Sequence, residues 1–121
     1  MINSILAVML GGAFGALGRF GLNMLFKQSG LALFWATLSA NVLGCLIIGW
    51  VYQWFSQHAH ISENLQLFVM VGILGALTTW STFSMETVLM MEHGEILKAL
   101  AYTLITVVAC FTAFWVGMKI S

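Results

Sequence analysis

One short segment in the second half of the chain concentrates the side chains that could do chemistry. Residues 75–87, GALTTWSTFSMET, carry six hydroxyl groups, two aromatic rings and one carboxylate within an otherwise apolar stretch. Burying so many polar groups in hydrocarbon is costly unless they contact one another, water or an ion. Polar side chains inside a membrane mark a functional site by default. The segment therefore predicts an ion pathway.

The bland alternative is that the aromatic rings face lipid and the hydroxyls bond back to the preceding helical turn. Six hydroxyls within ten residues are too dense for that alternative alone. Trp80 and Phe83 are three residues apart and share one helical face, whereas Thr82 and Glu86, four apart, share another. Glu86 lies towards one end of the predicted pathway.

Two other helices carry polar residues at membrane depth. Asn41 lies in the middle of the second apolar run, where an amide either joins helices or lines a pore. Tyr102, Thr106 and Cys110 recur every four residues and form one stripe of weak hydrogen-bond donors without fixed charge. Such a stripe suits a small anion that must be bound and then released. Arg19 either extends to the membrane surface or attracts anions into a vestibule.

The composition indicates a membrane protein without a soluble domain. Hydrophobic residues make up 61% of the chain and charged residues 7%, whereas a soluble domain carries about 25% charged residues. Mean hydropathy is +1.01. The formal net charge of zero offers nothing to nucleic acid. No nucleophile, acid–base pair or metal-bound water site is recognisable, so we expect no enzyme.

Hydropathy predicts an all-α, single-domain membrane protein, residues 1–121, because each membrane crossing needs about 20 apolar residues. The first apolar run is long enough to be a span of the mature protein and lacks the basic start of a signal peptide. No proline is present, so glycine and paired threonines are the candidates for a break, predicted within residues 75–79. Cys45 and Cys110 lie mid-span as small apolar filler, without a disulfide. The four predicted helices cover residues 2–26, 34–55, 65–91 and 96–118.

Small residues and weak charge asymmetry indicate an oligomer. Glycines in the first helix, and Ala36, Ala40 and Gly44 in the second, allow helix backbones to approach closely in lipid. Positive residues set the orientation of spans, yet one membrane side carries only Lys119. The other carries Lys27 and Lys98, with Arg19 near a helix end. This slight bias permits insertion both ways up, and an antiparallel homodimer follows as a hypothesis.

The residue pattern resembles a known family, the Fluc (CrcB) fluoride channels of bacteria. The resemblance rests on NVLG at residues 41–44, IG at 48–49 and above all GALTTWSTFS at 75–84, and it extends over the whole chain. It implies an antiparallel dual-topology homodimer in the lipid bilayer of the bacterial inner membrane. That dimer would contain two pores and export fluoride passively to relieve fluoride toxicity.

The resemblance also implies roles for particular residues. Backbone carbonyls of Gly75 and Thr78 from each subunit would hold a structural Na⁺ at the centre of the dimer. Trp80 and Cys110 stand where the family usually has Phe and Ser, and Ala76 stands where glycine is usual. The vestibule residues would be Arg19 and Glu86. The fluoride pore would be lined by Asn41, Trp80, Ser81, Thr82, Phe83, Tyr102, Thr106 and Cys110.

Two other functions compete with this interpretation. A proton-coupled small multidrug transporter is also four-helical, dimeric and dual-topology, but it needs an intramembrane carboxylate for proton exchange. Glu86 is the only candidate, and it lies near a helix end. A membrane assembly subunit without transport activity is the third possibility, and it leaves the dense hydroxyl cluster unexplained.

Overall fold

The chain folds into membrane-spanning helices. The structure, a computed structural model, describes all 121 residues, Met1–Ser121, and contains no strand. Four stretches are long and apolar enough to cross a membrane, which confirms the four predicted spans. The first, second and fourth spans are each one continuous helix, named here α1 (Ile2–Gln28), α2 (Leu33–Gln57) and α5 (Ile96–Lys119).

The third span, Glu63–Glu92, is divided into two helices. Between the two helices, Thr78 and Thr79 are extended, with ψ 156° at Thr78 and φ −152° at Thr79. The first helix, α3, consists of an α-helical turn Glu63–Gln66, a π-helical stretch Leu67–Leu74 and a last turn Gly75–Leu77, and the second, α4, covers Trp80–Glu92.

The break is narrower than the sequence predicts. Gly75 remains helical, with φ −64° and ψ −35°, and its N–H donates to the Met70 carbonyl in the wider π-helical pattern. The helix α3 continues to Leu77, because the Thr78 N–H still donates to the Leu74 carbonyl at 3.1 Å. The π-helical stretch was not predicted, since hydropathy does not distinguish i+4 from i+5 hydrogen bonding.

The connections between spans are short and locally stabilised. The Ser62 side chain accepts the Leu65 N–H at 3.3 Å and caps the start of α3, a role that serine commonly has at a helix start. Gly30 and Gly94 have φ of 71° and 77°. This left-handed conformation is easily reached only without a side chain, so glycine allows sharp turns after α1 and α4.

Glycines bring α1 and α3 into direct backbone contact. A Cβ atom at Gly11 would collide with the Phe68 carbonyl oxygen, and one at Gly15 with the Ile73 carbonyl oxygen. The facing position on α3 is also glycine, Gly72, which lies against Gly11. The predicted small-residue packing is therefore present, and it joins the first span to the first half of the third.

A second backbone contact joins α2 to α5. A Cβ atom at Gly49 would collide with the Phe114 carbonyl oxygen, and one at Gly117 with the Leu46 carbonyl oxygen. Helix α4 packs against both members of this pair, and its buried Phe83 belongs to a small core with Tyr102 of α5. The bundle consequently consists of two tight helix pairs, with the break of the third span between them.

Most apolar side chains lie on the outside. Only 19 of 121 residues are buried, and the exposed set includes large side chains along every span. In water this surface would be unstable, whereas in lipid it matches the solvent. The chain is therefore a multi-pass membrane protein.

We expect Gly15→Ala to destabilise the bundle, because the added methyl group meets the Ile73 backbone. Overpacking of this kind costs about 1–3 kcal/mol. The matched control is Gly21→Ala on the same helix, where nothing lies within 4 Å of the added atom. The control should be neutral or stabilising by up to about 1 kcal/mol, since alanine favours helices. Thermal unfolding midpoints in detergent measure both changes, and equal midpoints would contradict the packing.

Candidate functional site

The side-chain amide of Asn41 holds the break in the third span. Its Nδ2 donates to the Thr79 carbonyl at 3.0 Å, and its Oδ1 accepts the Thr79 N–H at 2.7 Å. Asn41 and Thr79 are both buried. One amide thus satisfies the donor and the acceptor of an extended residue at membrane depth, where an unpaired backbone group would be costly.

The same residue, Thr79, starts α4. Its Oγ1 accepts the Thr82 N–H at 3.1 Å and donates to the Thr82 hydroxyl at 3.1 Å. The Ser81 hydroxyl lies 3.2 Å from the same oxygen. Threonine in this position satisfies one of the free N–H groups at a helix start. Three hydroxyls of the segment therefore form one local network.

The other three hydroxyls of the segment bond back along their own helix. Thr78, Ser84 and Thr87 each donate to the carbonyl four residues earlier, at 2.8–2.9 Å. The alternative considered for the sequence pattern thus describes half of the cluster. All six hydroxyls have hydrogen-bond partners within the third span. The dense hydroxyl cluster therefore stabilises the broken helix, in addition to any role in binding an ion.

Two backbone carbonyls lose their usual donors at the break. In a continuous helix, Gly75 O would accept the Thr79 N–H and Thr78 O would accept the Thr82 N–H. The first N–H binds Asn41, and the second binds the Thr79 hydroxyl. Gly75 is exposed and Thr78 is half-buried. The two carbonyls therefore have no backbone donor within the third span.

A cavity of about 520 Å³ lies beside the break, between α2 and α5, and its mostly apolar lining includes several polar side chains. Thr106 is only 4% exposed, yet its Oγ1 has no hydrogen-bond partner. A buried hydroxyl without a partner is uncommon in a native protein. The free O–H of Thr106 belongs to a residue that lines the cavity, which makes it a candidate donor to an ion there. The polar residues around the cavity are Asn41, Cys45, Thr78, Thr79, Thr106 and Cys110.

A second polar cluster surrounds Glu86. The Thr37 hydroxyl donates to Oε1 at 2.8 Å, and the Tyr102 hydroxyl donates to Oε2 at 2.8 Å. Phe83 packs edge-on against Tyr102, with ring centroids 5.1 Å apart. The carboxylate is therefore held between α2 and α5, and neither of its oxygens is left without a donor.

Thr37 is a site residue that the sequence analysis missed. A signal was present, because Thr37, Asn41 and Cys45 recur every four residues on α2. Their period matches that of Tyr102, Thr106 and Cys110 on α5. The structure places the two stripes opposite each other, from the Glu86 cluster to the cavity. This paired polar stripe runs along the inside of the α2–α5 contact.

The remaining predicted site residues are dispersed. Trp80 lines the cavity but is 71% exposed, whereas Phe83 is 3% exposed, with 5.0 Å between the two ring centroids. Arg19 lies half-buried on α1 and does not line the cavity. Within one chain, the aromatic pair is thus divided between the surface and the core.

This fold and site define a class of small four-span membrane proteins with a broken third span beside a cavity that several polar side chains line. Residues 6–118 match the family described as CrcB-like protein, Camphor Resistance (CrcB). The chain belongs to the CrcB family, which confirms the resemblance seen in its sequence.

Curated relatives are similar over nearly their whole length. A protein of Magnetococcus marinus named "Fluoride-specific ion channel FluC" is 42% identical over 114 residues, covering 93% of each chain. Relatives with the same name come from Shewanella amazonensis, 36% identical over 98% of this chain and 96% of the relative, and Geobacter sp. strain M21, 35% identical over 99% and 98%.

We expect Asn41→Leu to loosen the break, because it leaves the buried N–H of Thr79 unpaired and removes one donor from the Thr79 carbonyl. Losing the partner of a buried N–H costs about 1–3 kcal/mol. Hydrogen exchange followed by mass spectrometry should therefore accelerate in peptides covering residues 74–83. The matched control is Asn23→Leu, which removes an amide without a side-chain hydrogen bond in the structure. Equal protection in both variants would contradict the role of Asn41.

Proposed function

We propose that the protein is a fluoride-selective channel that lets fluoride leave the bacterial cell passively across the inner membrane. The identity of the ion rests on the relatives, which are named for fluoride. The observation in this chain that carries the proposal is the buried Thr106 hydroxyl, which has no hydrogen-bond partner and belongs to a residue that lines the cavity. Transport by such a path needs no catalytic group.

The paired polar stripe supplies neutral donors to an anion. Hydroxyls can replace part of a small anion's hydration, yet they do not hold it as tightly as a fixed positive charge would. Thr106 is the free hydroxyl donor on α5, because the Tyr102 hydroxyl already donates to Glu86, and Cys110 adds a weak thiol donor. On α4, Ser81 and Thr82 extend the set of hydroxyls next to the break.

Aromatic edges offer a second kind of contact. The edge of an aromatic ring is positive, so Phe83 and Trp80 can stabilise a small anion through C–H groups. Phe83 is fixed by its edge-on packing against Tyr102. Trp80 reaches out of the chain, where a partner subunit would meet it. Arg19 would raise the local anion concentration at a vestibule through its positive potential.

An antiparallel homodimer explains the exposed carbonyls. Gly75 and Thr78 present backbone acceptors at mid-membrane, and lipid cannot satisfy them. A second copy in the opposite orientation would bring the same two carbonyls to the same depth. The small excess of positive residues on one side permits both orientations. The dimer would contain one fluoride path for each chain.

The meeting of two such breaks fits a structural sodium ion. Two carbonyls from each chain offer four neutral oxygens, a donor set suited to a hard monovalent cation. The residues present fit this role, because Gly75 O and Thr78 O have lost their helical donors. The ion would supply the positive charge that stabilises two broken helices at one place.

The arrangement of Glu86 favours a channel over the proton-coupled multidrug transporter. A carboxylate that exchanges protons for a cationic drug must be free to bind either the proton or the drug. Here both carboxylate oxygens already accept hydrogen bonds, from the hydroxyls of Thr37 and Tyr102. Glu86 then orders the two donors at one end of the paired polar stripe, near the route of entering or leaving ions.

The decisive experiment is fluoride efflux from liposomes that contain the purified protein, with chloride-loaded liposomes as the comparison. We expect fast fluoride release and chloride release equal to that of protein-free vesicles. Phe83→Ile should reduce fluoride efflux at least about tenfold, a loss of about 1.4 kcal/mol or more in stabilisation of the permeating ion, because an aliphatic side chain has no positive edge.

The control for Phe83→Ile is Phe20→Ile, a change of the same kind at a ring that is 62% exposed on α1. It should release fluoride at the wild-type rate. Equal efflux from both variants would remove Phe83 from the path. Absence of fluoride release from folded wild-type protein would overturn the proposed function and favour the transporter with Glu86 as its exchanging group.

We expect sodium to stabilise the folded protein. A ligand that binds only the folded state at 100 times its dissociation constant adds about 2.7 kcal/mol. The thermal unfolding midpoint in detergent should rise with Na⁺ and saturate, and should not rise with choline at the same ionic strength. Sodium should not raise the midpoint of Asn41→Leu, because the Asn41 amide no longer stabilises the break. Sodium should still raise the midpoint of Asn23→Leu. Equal midpoints in Na⁺ and choline would contradict the site.

A further inference from the structure

The two cysteines of the chain lie on the two helices of the α2–α5 contact. Cys45 on α2 and Cys110 on α5 both line the cavity beside the break, and both are free and half-buried. The chain has no other cysteine. Every thiol of the protein is thus located at one place in the paired polar stripe.

The backbone geometry holds this thiol pair in place. One helical turn further on, Gly49 lies against the Phe114 carbonyl, where any side chain would collide. Gly49 follows Cys45 by four residues, and Phe114 follows Cys110 by four. This close contact fixes the spacing of the two helix backbones one turn away from the thiols.

Two thiols without a third ligand suit a particular class of metal ion. No group of three or more His, Cys, Asp or Glu side chains is present that could hold a metal. Zinc normally takes at least three protein ligands, which are absent here. Soft sulfur ligands select soft ions such as Cu(I), and monovalent ions of this kind are stable with two sulfur ligands in a line.

We propose that Cys45 and Cys110 form a two-coordinate site for a soft monovalent metal ion, Cu(I) or Ag(I), and that its occupation closes the channel. The first part stands on the thiol pair alone, and the closure rests on the proposed function. Binding converts two thiols into two metal–sulfur bonds and releases two protons to water, without any change of oxidation state. The resulting group carries one net negative charge.

Closure has a steric and an electrostatic cause. The ion would occupy the cavity next to Thr106, whose free hydroxyl is the donor offered to the permeating anion. The negative bis-thiolate group would also repel fluoride in a region with little water to screen charge. A channel with serine in place of Cys110 would have only one thiol and could not form this site.

Silver is the probe for the metal site. Ag⁺ is titrated, in chloride-free buffer, into the purified full chain in detergent, and bound silver is measured after gel filtration. We expect one tightly bound Ag⁺ per chain. Cys45→Ala and Cys110→Ala should each weaken binding at least about 100-fold, because the second thiol acts at high effective concentration. The eight methionines remain in both variants, so weak thioether binding is controlled.

Two results would overturn the metal site: two equivalent silver ions per wild-type chain, or unchanged affinity in either variant. A measurement on the unaltered protein guards against variants that fold poorly. Bound Ag⁺ should resist a monothiol competitor and leave to an equimolar dithiol such as dimercaptopropanol. Release to the monothiol at the same concentration would indicate a single sulfur ligand and refute the pair.

Fluoride efflux tests the closure. One equivalent of Ag⁺ per chain should reduce wild-type efflux to the level of protein-free vesicles, and a dithiol should restore it. Each variant is compared with its own silver-free rate, and neither should respond to one equivalent. Tight silver binding with unreduced efflux would overturn the closure. If silver-free wild-type protein releases no fluoride, the proposed function and closure fail together, while the titration still decides the metal site.

Discussion

The pair of hydrogen bonds between the Asn41 amide and the Thr79 backbone is the interaction on which the site depends. A transmembrane helix normally satisfies its own backbone, and a break exposes donors and acceptors to lipid. Asn41 supplies both missing partners to the residue with the most extended conformation. Thr79 then uses its own hydroxyl to begin the next helix. Two side chains thus convert a costly defect into a defined structural element.

The hydrogen bonding at the break is asymmetric, because it satisfies backbone donors and leaves backbone acceptors without a partner. The N–H groups of Thr79 and Thr82 acquire new acceptors, whereas the carbonyls of Gly75 and Thr78 are left free. A protein that only needed to tolerate a break would satisfy acceptors as well as donors. The break instead leaves two carbonyl oxygens without a donor within the third span. We infer from this that the functional unit includes a second copy and a cation.

The contact between α2 and α5 explains why the polar residues act together. Gly49 and Gly117 let the two backbones touch, and the polar residues on both helices recur every four residues. The stripes therefore stay opposite each other for several turns. At one end of the paired polar stripe, Glu86 links the two helices by accepting hydrogen bonds from Thr37 and Tyr102. At the other end the stripe reaches the cavity with the thiols, so one helix pair carries both proposals.

The sequence by itself determined the membrane class, the four spans, the place of the break and the family. These depend on local composition and on the motif at residues 75–84, both visible without knowing any contact. Only the tertiary structure decided the partners, Thr37 with Glu86 and Asn41 with Thr79, and placed Cys45 and Cys110 at one cavity. It also restricted the break to two residues and introduced the π-helical stretch. Hydropathy measures how each residue prefers lipid, whereas hydrogen-bond partners depend on how helices distant in sequence are aligned.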